Sequence, residues 1–367
     1  MSRLTQLRPM RIEDIAQVGA LYFKIFRNKP ENSSSDFNTY FKELFFGSPY
    51  YSPENGSFVH ETADGQIDSV LSAVPMEYHV NGKAMISRLL GTFMTDPDMS
   101  TQGAAQLTLT LRARRQDLCF TNTASPTSAS HLRAVGGVVL PTQSLEWCRV
   151  FKPAAYAVQC LRPHTSFLHK TAWLPLAKFG DTMIRKIGKI PPLEPPRGVR
   201  DEIMEDVAFQ ELAPSFVADY SVRPAWSKPE ISWILHMASM HKSDGQLQIR
   251  CVYDDVGRVC GCYVFFGKPG AIAKVLNILA TSRQDSDLVV TQMLHRLESA
   301  GYVAAQGPVQ PRLLEAFSRH SALFYRHKAY TCVSTRHREV IEAIDRHDIF
   351  LGGLAGESWS RLASDFY

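Results

Sequence analysis

The stretch DPDMSTQGAAQLTLTL, residues 96–111, decides how the chain is read. An acidic, turn-prone opening runs through Ser100, Thr101, Gln102, Gly103, Ala104 and Ala105 into an apolar-periodic segment. The spacing predicts a helix that begins near Gln102 or Gly103. Unpaired N–H groups at a helix start, together with the positive end of its dipole, favour an anion, and Gly and Ala let a pyrophosphate come close to the backbone. The same residues also suit a helix capped by Asp98 or Ser100 and packed closely into a core. The flanking sequence has to separate these readings.

On the N-terminal side, residues 8–26 place Ile12, Ile15, Val18, Leu21, Tyr22, Ile25 and Phe26 at helical spacing after a short strand. Residues 57–97 then alternate as three antiparallel strands, with Asp64-Gly65 and Asn81-Gly82 as hairpin turns, because those pairs tolerate positive φ. On the C-terminal side, QDLCFTNTA reads as a strand, SASHLRAVGG as a helix ending at glycine, and QSLEWCRVF as a strand. The order recurs further on. Residues 247–282 supply three strands, 285–301 a helix, YVAAQG a strand, PRLLEAFSRH a helix and AYTCVST a strand. The repetition lies in the architecture, since few residues match, and it predicts two copies of one mixed α/β unit. Between them IPPLEPPRG, residues 190–198, is too rich in proline to continue a helix predicted over 164–189.

Composition limits the partners. The chain has 367 residues, 40 Lys+Arg against 36 Asp+Glu, and 45% hydrophobic residues. It lacks a basic block or an aromatic-interleaved basic stripe, which argues against nucleic acid. With neither a signal-like opening nor an apolar run of spanning length, the expectation is a cytoplasmic protein without a membrane span. The 7 cysteines read as reduced core thiols. Cys260 and Cys262 share one strand face, but no second pair at zinc spacing accompanies them, so no metal is expected.

The order of elements resembles that of the GNAT superfamily of acyl-CoA-dependent N-acyltransferases. In its signature loop a basic residue or Gln is followed by two positions, Gly, one position, then Gly or Ala. Gly103 and Ala105 match the last two places, and Ser100 stands at the usually basic one. Residues 116–153 and the segment GESWSRLASDFY are similar to tandem-repeat GNAT proteins of bacteria. The resemblance implies an α/β fold with mixed sheets in two tandem domains: 1–160 binding acyl-CoA, 161–200 a helical and proline-rich connector, and 201–367 a GNAT-like domain with a degenerate phosphate loop.

That resemblance also implies roles. Ser100, Thr101, Gln102, Gly103, Ala104 and Ala105 would cradle the pyrophosphate. Phe93, Met94 and Thr95 would line the pantetheine, a strand N–H polarising the thioester carbonyl, and Asn122 would bond a pantetheine amide or a water. Where many GNAT enzymes carry a Tyr as general acid, the helix SASHLRAVGG offers His131 and Ser130. The Tyr367 carboxylate could serve as base, as a terminal carboxylate does in N-myristoyltransferases. In the second copy the corresponding loop carries Asp285 and Asp287, which repel a pyrophosphate, so the first copy alone is expected to hold acetyl-CoA or a longer acyl-CoA. Tyr325 falls near the matching acid position there. The expected activity is acyl transfer to a primary amine of a small molecule or peptide by direct attack. The alternative is an inactive acyl-CoA-binding or scaffold protein of the same fold.

Overall fold

The computed structural model describes residues 5–28, 33–99, 101–161 and 193–366. The chain begins with β1 (Gln6–Pro9), α1 (Ile15–Arg27), α2 (Ser35–Phe46), β2 (Phe58–Glu61), β3 (Ile67–Val80), β4 (Lys83–Thr95), α3 (Gln102–Thr110) and β5 (Leu118–Ala124). There follow α4 (Pro126–Ala134), β6 (Val138–Val139), β7 (Leu145–Val150) and α5 (Pro153–Leu161). Beyond the undescribed residues come β8 (Arg200–Ile203), α6 (Asp206–Phe216), β9 (Val222–Pro224), α7 (Lys228–Ser239), β10 (Gln246–Tyr253), β11 (Val259–Gly267) and β12 (Ile272–Ala280). The rest is α8 (Asp285–Ser299), β13 (Ala304–Pro308), α9 (Leu314–Ser318), β14 (Leu323–His327), β15 (Tyr330–Ser334) and α10 (Arg338–Asp345). Most of the expected connector lies outside the described residues.

One sheet has the order β1-β2-β3-β4-β5-β15-β6, with β9 added at the end of β3. Its hairpins form where the sequence predicts them: Asn81 and Gly82 have φ of 48° and 80° and close β3 onto β4, a conformation that Gly adopts without strain. β4 and β5 run parallel, whereas the other pairs on this path are antiparallel. α2 begins at Ser34, whose side chain accepts from Phe37 N, and buries Phe37, Tyr40, Phe41, Leu44 and Phe45 at helical spacing. Its rings continue a stack from Tyr22 of α1 through Phe37 and Phe41 to Phe45, with successive centroids 4.9, 5.4 and 4.5 Å apart.

The other sheet has the order β14-β7-β13-β12-β11-β10-β8, with β12 and β13 parallel. Trp147 of β7 belongs to its core, beside Phe317, Tyr263 and Met293. Cys332 of β15 belongs to the core of the first sheet, beside Cys119, Leu71 and Leu107. The final strand of each repeat is thus built into the sheet of the other. The two compact units are accordingly discontinuous: one comprises the described residues of Met1–Ser144, Gln210–Met240 and Lys328–Tyr367, the other those of Leu145–Phe209 and His241–His327. The expected bounds 1–160 and 201–367 follow the repeat of elements, whereas the compact units also exchange β7 and β15 and take Gln210–Met240 into the first unit.

All 7 cysteines are free, and Cys160 is exposed, unlike the other six, which are buried as expected of core thiols. Among the described residues no helix is long and apolar enough to cross a membrane.

Candidate active site

The site forms where β4 leaves β5. Their parallel ladder consists of Ser87↔Leu118, Arg88↔Cys119 and Leu89↔Phe120 among the described residues, although β4 continues to Thr95 and β5 to Ala124. On its other edge β4 carries an irregularity: Leu71 pairs Phe93 and Ala73 pairs Leu90, so β4 has one residue more than β3 across this interval. Such a bulge bends the strand and redirects its amides. The two strands part over a cavity of about 240 Å³. Tyr22, Phe26, Leu44 and Phe45 wall it from α1 and α2, Leu71 and Val74 from β3, and residues 89–93 from β4. Thr121, Thr123, Ser125, Ser128, His131 and Leu132 line it from β5 and α4, and Glu357, Trp359, Ser360 and Leu362 from the C-terminal segment.

Glu357 is the group that the sequence reading did not single out. Its backbone N–H donates to Asn122 Oδ1 at 3.2 Å, and its Oε2 accepts from the Thr123 hydroxyl. Among the described residues Oε1 has no hydrogen-bond partner. Burial pushes the carboxyl up to about 8, against the lowering pull of Thr123. Gly356 permits this arrangement, since a Cβ there would lie 2.2 Å from Asn122 Nδ2. A carboxyl that titrates near neutrality beside an apolar cavity is suited to general base chemistry.

The expected site residues divide. His131 lines the cavity, its ring 6.0 Å from that of Phe93 and edge-on to it, with Nδ1 buried and without a partner among the described residues. Phe93 also lines it, whereas Met94 is buried away from the wall and Thr95 lies off it, so the lining of β4 runs from Leu89 to Phe93 instead. The alternation of strand side chains explains Met94. Ser130 is not a cavity residue: it is exposed on α4, its hydroxyl donating to Pro126 O at 2.9 Å. Asn122 does not line the cavity either, because its side chain fastens the segment of Gly356 and Glu357. Ser100 and Tyr367 lie outside the described residues.

The loop before α3 has two aspects. Thr101 forms the N-cap without a side-chain cap bond, and Thr101, Gln102 and Ala105 are exposed while Ala104 is half-buried. Gly103 is buried against β2 and β3, where a Cβ would lie 2.5 Å from Ser69 Oγ, 2.7 Å from Asp68 Oδ1 and 2.8 Å from His60 Nδ1. Here the glycine serves close helix–sheet packing, and His60 and Asp68 beneath it are joined at 2.7 Å.

The second unit fills the corresponding places with its own groups. At the start of α8, Asp285 accepts from Thr281 at 2.6 Å, Ser282 at 2.7 Å and Arg258 at 2.9 and 3.1 Å. Where β12 passes β13, Gln310 accepts from Ile278 N at 3.0 Å and donates to Ile278 O at 2.9 Å. Asp287 pairs with Arg319, and Tyr325 stands 40% exposed on the edge strand β14. Burial raises the Asp285 carboxyl, but the bonds from Arg258, Thr281 and Ser282 outweigh it and bring it down to about 2. Its contribution to stability is therefore complete above the ordinary 3.8 and lost as pH falls through about 2. Asp285→Ala is expected to cost about 1–3 kcal/mol in urea unfolding at pH 7, with the difference shrinking in acid.

No known family profile matches the chain, and no curated protein matches it in sequence. Solved structures do resemble it. A probable N-acyltransferase of Enterococcus faecalis aligns with a TM-score of 0.57 at 10% identity, covering 90% of this chain and 72% of that one. A GCN5-related N-acetyltransferase of Anabaena variabilis gives 0.56 at 12% identity with the same coverages. Another from Kribbella flavida gives 0.51 at 10% identity, covering 90% of this chain and 71% of its own. These likenesses show the fold, two mixed α/β units of the GNAT type.

Proposed function

We propose that this chain, which carries the fold of the GNAT acyltransferases, moves an acyl group from acyl-CoA to a primary amine of a small molecule or peptide. The observation that carries the reading is the parting of β4 from β5 over an apolar cavity that holds one carboxyl titrating near neutrality. Pantetheine fits the parted strands, and the start of α3 around Gly103 and Ala104 offers backbone amides to the pyrophosphate. A β4 amide at residues 91–93 polarises the thioester carbonyl. Because negative charge grows on that oxygen only during attack, a fixed donor there lowers the barrier by several kcal/mol.

The amine enters as an ammonium and loses one proton to Glu357. Its nitrogen then attacks the carbonyl carbon; the C–N bond forms, the C–S bond breaks and the sulfur departs as thiolate. The proton shed by nitrogen passes through His131 to that thiolate. One amide and one free thiol result, and Glu357 returns its proton to solvent. No cysteine lines the cavity, and burial pushes the nearby Cys119 and Cys332 thiols up to about 11, which favours direct attack over a covalent acyl-enzyme.

The test is thiol release from acyl-CoA in the presence of amino acids, amino sugars, polyamines and peptide N-termini. Amine-dependent release is expected. Binding of acyl-CoA without release from any amine would instead indicate the inactive binding protein.

A further inference from the structure

We infer that the donor's acyl group is a medium-length hydrocarbon chain of about six to ten carbons, housed in the cavity against α2, β3 and β4. This deepens the reading above and rests on it. The walls differ in chemistry. β5, α4 and the C-terminal segment contribute Thr121, Thr123, Ser125, Ser128, His131 and Glu357, the groups able to handle protons. From α2, β3 and the start of the bulge come Leu44, Phe45, Leu71, Val74, Leu89 and Leu90, which offer no polar side chain. A thioester reacting at the polar wall therefore directs its chain toward the apolar one, where an acetyl group would leave most of the surface without contact.

Volume sets the length. A cavity of about 150 Å³ lined by aliphatic and aromatic residues admits benzene, with six carbons, so one of this size admits about ten. Part of the space must serve the thioester itself, which gives the lower bound. Gly91 narrows the path from the thioester to that wall: a Cβ there would lie 3.4 Å from Phe45 Cε1 and Cζ, so Ala just fits and a longer side chain crowds that ring.

The experiment is calorimetric titration of the full chain with free CoA and with acetyl-, hexanoyl-, decanoyl- and palmitoyl-CoA. Affinity is expected to rise by up to about fourfold per added methylene as far as decanoyl and to fall again at palmitoyl. Gly91→Leu should move the optimum to a shorter chain, and Gly91→Ala, which the packing accommodates, should weaken decanoyl-CoA more than hexanoyl-CoA. Acetyl-CoA binding as tightly as decanoyl-CoA would overturn the chain-length inference and leave the acyl-CoA reading standing, as would an optimum that neither Gly91 variant moves. Binding of none of these compounds would overturn the acyl-CoA reading itself.

Discussion

Glu357→Gln is expected to lower kcat by about two to four orders of magnitude while changing the affinity for acyl-CoA by no more than about twofold. Gln can keep the Thr123 hydrogen bond and nearly the same volume, but it cannot take a proton from the incoming ammonium. The pH profile adds a signature that a packing defect lacks. With the carboxyl raised to about 8, the rate of the proposed reaction in the parent protein should climb through that pH and level off above it, and the Gln variant should lose this limb. Stability moves the other way. The folded carboxyl keeps its proton between the ordinary 4.5 and about 8, where the unfolded one has lost it, so rising pH through this window destabilises the parent relative to Gln. A variant that turns over at the parental rate, with the same pH limb, would remove Glu357 from the mechanism.

Gly103→Glu should give the largest loss of stability, about 4 kcal/mol or more in urea unfolding, or no soluble folded chain. The new side chain would begin within 2.8 Å of Ser69, Asp68 and His60, all buried, and would bring a second carboxylate beside Asp68. Gly103→Ala, which has the clash without the charge, should cost about 1–3 kcal/mol. A change at this position therefore does not report on phosphate binding alone, in keeping with the close packing that is one of the two readings the sequence leaves open. Parental stability in both variants would show that the helix can lift off the sheet at no cost.

Local features were readable from sequence. Asn81-Gly82 announces its hairpin because the φ requirement is met by two adjacent residues, whereas α2 stands outside the elements expected from the sequence although Phe37, Tyr40, Phe41, Leu44 and Phe45 follow Ser34 at helical spacing. The two-residue β6 is too short to leave a pattern. The exchange of β7 and β15 is invisible for a different reason: neither short strand carries a local sign of its sheet, and the pairing is made with strands remote in sequence. Glu357 shares this difficulty. Its meaning depends on Thr123, 234 residues away, and a lone Glu beside a glycine carries no sign that its carboxyl will line a cavity. Asn122 was legible as polar and placed at a strand end, but its bond to the Glu357 backbone again depends on a remote segment.

The strand exchange bears on how a ribosome delivers this molecule. β5 and β6 emerge long before β15, the strand that separates them, and at ordinary translation speeds the wait is on the order of tens of seconds. Throughout that wait β5 presents a bare ladder edge of the kind that recruits neighbouring nascent chains. Chaperone demand should therefore peak before residue 330 is made, and a gene cut at the proline-rich stretch should yield soluble protein only when both fragments are produced together.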